Sequence, residues 1–201
     1  MKKTVLLLCL IALFVSGCGD LLNMRKISVD PRISIENMQK SSLKAGLLLN
    51  EQFTNYEYVF DSGPVKLYLV KNIHGEIEIG KNLSHAIYRI VSSKFGRVFI
   101  ARNGSEMYDV DLYFVPRIKS YTFKPARHGY DSFSSTMELE TEIFDKNGRL
   151  LRSFSVKQEG SRNVMANSLM NRTLQEMASG TVNEVIDKTL QEFVTKLNEF
   201  Y

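Results

Sequence analysis

The chain is predicted to fold as an α+β protein: a two-layer sandwich of a mainly antiparallel sheet, packed with one central and one long C-terminal helix. Three observations carry this. Leu83, Ala86, Ile87, Ile90, Val91 and Phe95 recur at spacings of three and four, the stripe of an amphipathic helix. Residues 110–124, 137–143 and 150–157 alternate apolar with polar side chains, as half-buried strands do. Val182, Val185, Ile186, Leu190, Phe193, Val194 and Leu197 form a second helical stripe, which needs a sheet to cover.

The elements follow in order. Ile33 and Ile35 alternate with polar residues, a weak strand pattern after the turn signal Asp30-Pro31. Lys44 to Leu49 is mostly apolar and reads as an interior strand. Tyr56 to Phe60 is a third strand, closed by Asp61-Ser62-Gly63-Pro64, and Val65 to Val70 a fourth. The central helix runs from Lys81 to Phe95, with Gly96 placed to end it in a left-handed cap. A short strand, Arg97 to Ala101, precedes the turn Asn103-Gly104.

Val110, Leu112 and Phe114 alternate with Asp109, Asp111 and Tyr113, and the strand continues through Ile118 to Lys124. Pro116 marks a bulge or an edge position within it, since proline donates nothing to a ladder. Met137, Leu139, Thr141 and Ile143 alternate with Glu138, Glu140 and Glu142, giving one wet, acidic face. Asp145 to Gly148 is a hairpin loop, with Gly148 suited to positive φ, and Leu150 to Lys157 returns antiparallel. Arg149, Arg152 and Lys157 are then expected to meet the glutamates across the pair. Val164 to Met177 is one helical segment, broken near Ser179-Gly180. Thr181 with Glu184 makes a capping box for the next.

The N-terminus states where such a domain lives. Lys2 and Lys3 precede an apolar run from Val5 to Val15, too short to span a bilayer but of secretory length. Val15-Ser16-Gly17-Cys18 follows, and it resembles the lipobox of bacterial lipoprotein signal peptides. The resemblance implies cleavage between Gly17 and Cys18 and lipid attachment at Cys18, with palmitate-class acyl chains. Stable membrane anchoring takes about two lipid chains, which a triacylated cysteine exceeds. Residues 1–17 are then a signal peptide, 18–28 a lipidated tether and 29–201 one periplasmic domain. Gly19 follows Cys18, with Asp20 one place later. By resemblance to lipoproteins of two-membraned bacteria, this favours the outer membrane, facing the periplasm.

Composition narrows the partners. The net charge is +4, but loss of Lys2 and Lys3 lowers Lys+Arg from 26 to 24 against 22 acidic residues, so the mature chain carries +2. Nucleic-acid binding wants a clustered basic face and is not expected. Both cysteines, Cys9 and Cys18, lie in the signal region, so the mature domain has no disulfide and depends on core burial.

The stretches GKNLSHAIYRIVSSKFGRVFI, DVDLYFVPRIKSYTF and SSTMELETEIFDKNGRLLRSFSVKQEGSR, with the long final helix, resemble in order and pattern the YajG-like envelope lipoproteins. More distantly they are similar to the αβ domains of the CsgG, PelC and LpoB lipoproteins. The resemblance covers most of residues 44–200 and implies fold and location more than activity.

No catalytic constellation is legible. The chain has no GxSxG elbow, no P-loop and no GxGxxG. Asp109 and Asp111 mimic a carboxylate pair but read more simply as the wet face of a strand. His74, His85 and His128 are scattered, and His74-Gly75-Glu76-Ile77-Glu78 reads as a polar loop, so no metal site and no cofactor are expected. The distinctive loop is Lys124 to Phe133. Its Lys124, Arg127, His128 and Tyr130, with Arg117 and Lys119 leading in, form a basic, aromatic edge suited to a protein partner or anionic headgroups. A solvated hairpin connection is the simpler account. The expected function is a non-enzymatic structural or accessory subunit of an envelope assembly. It would partner another envelope protein or a second copy, and sit on the membrane through acylated Cys18. The alternative is an auxiliary lipoprotein for lipid or lipopolysaccharide transport.

Overall fold

A computed structural model describes residues 26–35, 38–61, 74–103, 109–126, 131–164 and 174–200. Along the chain come β1 (Lys26–Ile27), β2 (Ser41–Leu48), α1 (Glu51–Thr54), β3 (Glu57–Asp61), β4 (His74–Glu78), α2 (Gly80–Lys94), β5 (Phe95–Ala101), β6 (Leu112–Lys124), β7 (Ser132–Asp145), β8 (Leu150–Asn163) and α3 (Leu174–Asn198). This is the expected α+β sandwich, with the sheet layer divided in two. A five-stranded sheet has the order β5-β2-β6-β7-β8, and a three-stranded sheet the order β1-β4-β3. The β6, β7 and β8 ladder is antiparallel, whereas β2 runs parallel to both β5 and β6.

Alternation on β7 decides which face is dry. Phe133, Met137, Leu139 and Ile143 are fully buried, together with Thr141. Opposite them on β8 stand Val156 and Phe154. Helix α3 lies over this face, with the Phe193 and Phe154 rings 5.7 Å apart. Arg162 Nε donates to Glu184 Oε2 at 3.4 Å beside it. On the outer face Glu138 and Glu142 meet Lys119 and Arg117 of β6, each at 3.0 Å. Lys157 stands opposite Glu138 in register. The other expected partners go elsewhere. Arg149 pairs with Asp145 of its own turn, and Arg152 faces the helix side, 3.5 Å from Glu199. Arg152 is in register with buried Ile143, so strand parity sends it to the opposite face from the glutamates.

Five local expectations change. Residues 28–35 form no strand, because the backbone there bonds side chains of α3. Asp30 N donates to Asn183 Oδ1 and Arg32 N to Asp187 Oδ1, while Gln175 Nε2 donates to the Lys26 carbonyl. Residues 74–78, expected as a loop, are β4, with Ile77 fully buried. Helix α2 ends at Lys94 and passes directly into β5 through extended Phe95, so Gly96 is a strand residue and not a cap. Asp109 and Asp111 precede β6 and hold β2. Asp109 Oδ2 accepts from Lys44 Nζ at 2.9 Å and Asp111 Oδ2 from Lys44 N at 2.8 Å.

The fifth is at Ser179-Gly180, where α3 continues unbroken, and Thr181 Oγ1 donates back to Met177 O instead of capping. Met177, Ala178, Thr181, Val182 and Val185 are all buried across that point, and their burial outweighs the ~1 kcal/mol cost of a helical glycine. Pro116 sits where β6 has left β2, which pairs only to Phe114, so its missing N–H is on a local edge. Gly148 has φ 78°, as the hairpin requires. Val65 to Val70, and residues 165–173 of the expected Val164–Met177 helix, lie outside the described residues.

Candidate functional site

The loop singled out in the sequence begins at the C-terminal end of β6. Two edge-to-face contacts seat the small sheet against that end: Tyr58 on Tyr121 at 5.1 Å, and Phe60 on Phe123 at 4.8 Å. Phe123 is buried, so strand alternation turns the next side chain, Lys124, outward, where it is exposed. The ends of the loop are fixed. Ala126 is buried in the core. The Asp131 carboxylate accepts from Ser132 N, and its carbonyl accepts from Val164 N. Arg127, His128 and Tyr130 lie outside the described residues, as do Gly17 and Cys18.

Lys124 overlooks an open cleft of about 540 Å³ whose walls include Tyr58, Phe60, Asp61 and Asp131. It also borders a second opening of about 620 Å³ lined by Thr122, Ser134, Thr136 and Ser161. The first cleft has two carboxylates beside one ammonium, so its field is mixed. Of the three described cations on the expected basic edge, Arg117 and Lys119 are ion-paired to the glutamate ladder. The Lys119 ammonium is held above the usual lysine value by the Glu138 hydrogen bond, and Glu138 correspondingly below the usual carboxylate value. Those charges serve the sheet.

Histidines do not gather. His74 Nδ1 lies 3.5 Å from Asp61 Oδ2 on the exposed face of the small sheet, and His85 projects from α2. Among the described residues no group of three or more His, Cys, Asp or Glu side chains is placed to hold a metal.

A second surface lies beside α2, away from the basic loop. Gly80, the first residue of α2, packs directly on the backbone at the C-terminal end of α1 and just beyond it. A Cβ there would lie 2.2 Å from Phe53 O and 2.6 Å from Tyr56 N, so only glycine admits this approach. The close contact brings α1, α2 and the end of β5 around a groove of about 450 Å³, lined by Lys81, His85, Arg102, Ile100, Asn55 and Glu51 among others. Its α2 wall is Lys81, Ser84 and His85, and Tyr88 and Arg89 continue the exposed face of the helix beyond it. The signal in the sequence was an absence: from Ile79 to Ser105 the chain has no acidic residue.

No family model matches this chain, and no curated protein matches it. Among solved structures it is similar to a Xanthomonas campestris protein of family DUF330, with 12% identity and a TM-score of 0.49 over 87% of this chain and 95% of that one. It is also similar to a minor lipoprotein from Acinetobacter baumannii, with 12% identity and a TM-score of 0.45 over 80% and 94%. A PelC dodecamer from Paraburkholderia phytofirmans shares 10% identity and a TM-score of 0.36 over 80% and 93%.

Proposed function

We propose that this chain is a bacterial envelope lipoprotein, anchored through acylated Cys18 at the periplasmic face of the outer membrane. In this reading it acts as a non-enzymatic structural or accessory subunit of an envelope assembly. One observation carries the reading: a basic n-region, an apolar run of secretory length and Val15-Ser16-Gly17-Cys18 stand in the order a lipoprotein signal requires. Residues 1–17 are the signal, and the tether that follows is shorter than the 18–28 expected from the sequence. Lys26 already belongs to β1, so the folded domain starts eight residues beyond the lipid. No helix among the described residues is long and apolar enough to cross a membrane, and the lipid supplies the attachment. The YajG-like resemblance belongs to the same reading.

Metabolic labelling with an alkynyl palmitate, followed by membrane fractionation, tests it. Wild type is expected to incorporate label and sediment with membranes, whereas Cys18→Ser incorporates none. Wild-type protein that is unlabelled and soluble overturns the reading. The accessory role predicts a stoichiometric protein partner in crosslinked envelopes, and recovery of the chain alone at every crosslinker dose opposes it.

A further inference from the structure

We propose that the exposed face of α2 and the groove beside it form a docking surface for the anionic phospholipid headgroups of the membrane to which the chain is tethered. This rests on the anchored reading above and adds an orientation to it. Three observations converge. The first is uncompensated charge. Most basic side chains on β6, β8 and α3 have acidic partners, as in Arg117–Glu142, Lys119–Glu138, Arg162–Glu184 and Lys188–Glu184. Lys81 and Arg89 have none among the described residues, and neither does Arg97 on β5; Glu51 is the acid on the groove wall. Lys81, His85 and Arg89 follow one another at i, i+4 and i+8, so they line one helix face.

The second observation is exposed apolar surface on the same unit. Tyr88 is 37% exposed, one turn beyond His85, and Ile100 is 44% exposed on the groove wall. A tyrosine beside cations suits the headgroup layer, where its ring meets acyl chains and its hydroxyl meets water. The third is reach. Seven residues lie between Cys18 and Lys26, a span of eight Cα–Cα steps and at most ~29 Å. Lys26 lies on β1, paired in register with β4 and ion-paired to Glu78, and Glu78 is two residues before α2 begins. The tether therefore enters the domain beside the N-terminal end of the cationic helix. A short tether and the unpaired Lys81 and Arg89 beside a shallow, partly apolar groove fit phosphate headgroups better than a folded acidic partner, which needs a larger apolar contact.

The test uses the lipidated protein on vesicles. Under the anchored reading Cys9 is removed with the signal and Cys18 is a thioether, so a cysteine introduced at Asn55→Cys in the groove is the sole thiol for an environment-sensitive dye. Ser153→Cys on the outer face of the large sheet is the control. Quenching by headgroup spin labels is expected at Asn55→Cys on phosphatidylglycerol vesicles and not on phosphatidylcholine vesicles, with none at Ser153→Cys on either. Lys81→Gln and Arg89→Gln should each weaken the contact by about fivefold, and raised salt should weaken it further. Equal quenching on both vesicle types, or quenching unchanged by both substitutions, overturns the proposal. So does a groove shielded only in whole envelopes, which points to an acidic protein instead. Failure of the anchored reading is seen separately, as dye on Cys18 and loss of vesicle attachment.

Discussion

The ammonium of Lys94, the last residue of α2, donates to the main-chain carbonyl of Leu197 at 2.7 Å, in the last turn of α3. Lys94 is only 1% exposed. A cation at a helix C-terminus meets the negative end of the helix dipole and satisfies a carbonyl that has no partner within the helix. The bond thus joins the two helices that cover the large sheet.

Lys94→Met keeps most of the aliphatic stem and leaves the Leu197 carbonyl with only the longer bond from Phe200 N, at 3.2 Å. A loss of about 1–2 kcal/mol is expected in urea unfolding at pH 7. Burial pushes the Lys94 ammonium below the usual lysine value. The folded state therefore releases its proton before the unfolded chain does, so this group adds stability as pH rises towards 10.5 and withdraws it as pH falls through the lowered value. The gap between wild type and Lys94→Met should widen over that window. A gap independent of pH contradicts the buried ammonium.

Tyr121 titrates in the opposite sense. Burial pushes its phenol far above the ordinary value of 10.0, against a smaller lowering by the Ser135 hydroxyl, which donates to it. The folded state holds this proton longer than the unfolded chain. Its contribution is complete below about pH 10 and is lost as pH rises beyond that. Tyr121→Phe should cost about 1 kcal/mol or less at pH 7, since Ser135 retains the Thr122 carbonyl as acceptor, and should unfold less steeply in alkali than wild type. Ultraviolet titration should show Tyr121 ionising only with unfolding.

Gly80→Ala places a methyl group against backbone atoms of residues 53–56 that no rotamer change can move. A loss of about 3 kcal/mol is expected, at the upper end of overpacking costs. Ser84→Ala, one turn further along α2, loses a hydroxyl bond to the Gly80 carbonyl and should cost about 1 kcal/mol or less. Thermal unfolding of the two variants checks the order; equal losses contradict a backbone clash at Gly80.

The parts of the fold legible in the sequence are those with local periodicity. The stripe of α2, the alternation on β7 and the turn at Gly148 are each properties of a few consecutive residues. The parallel pairing of β2 with β5 and β6 is not, because it joins segments separated by helices and loops. The small sheet was hidden because β1 has only two residues, and β4 places its buried Gly75 and Ile77 among His74, Glu76 and Glu78. Gly96 and Thr181 carry sound capping chemistry, but tertiary burial overrode it: Phe95 is drawn into β5, and Thr181 is fully buried inside α3. In the candidate site, Lys124 ends β6 and borders a cleft, while Arg127, His128 and Tyr130 lie outside the described residues. The neutralisation of Arg117 and Lys119 depends on their outward faces meeting Glu142 and Glu138 across the β6–β7 pair, and the groove beside α2 depends on a contact across Gly80 that no single segment encodes.

The central claim is that Cys18 becomes the lipidated N-terminus. Intact mass spectrometry of the protein extracted from membranes tests it most directly. The expected species begins at Cys18 and carries a diacylglyceryl thioether with an acylated amino group. A species that retains residues 1–17, or begins elsewhere, or bears a free Cys18 thiol contradicts the account.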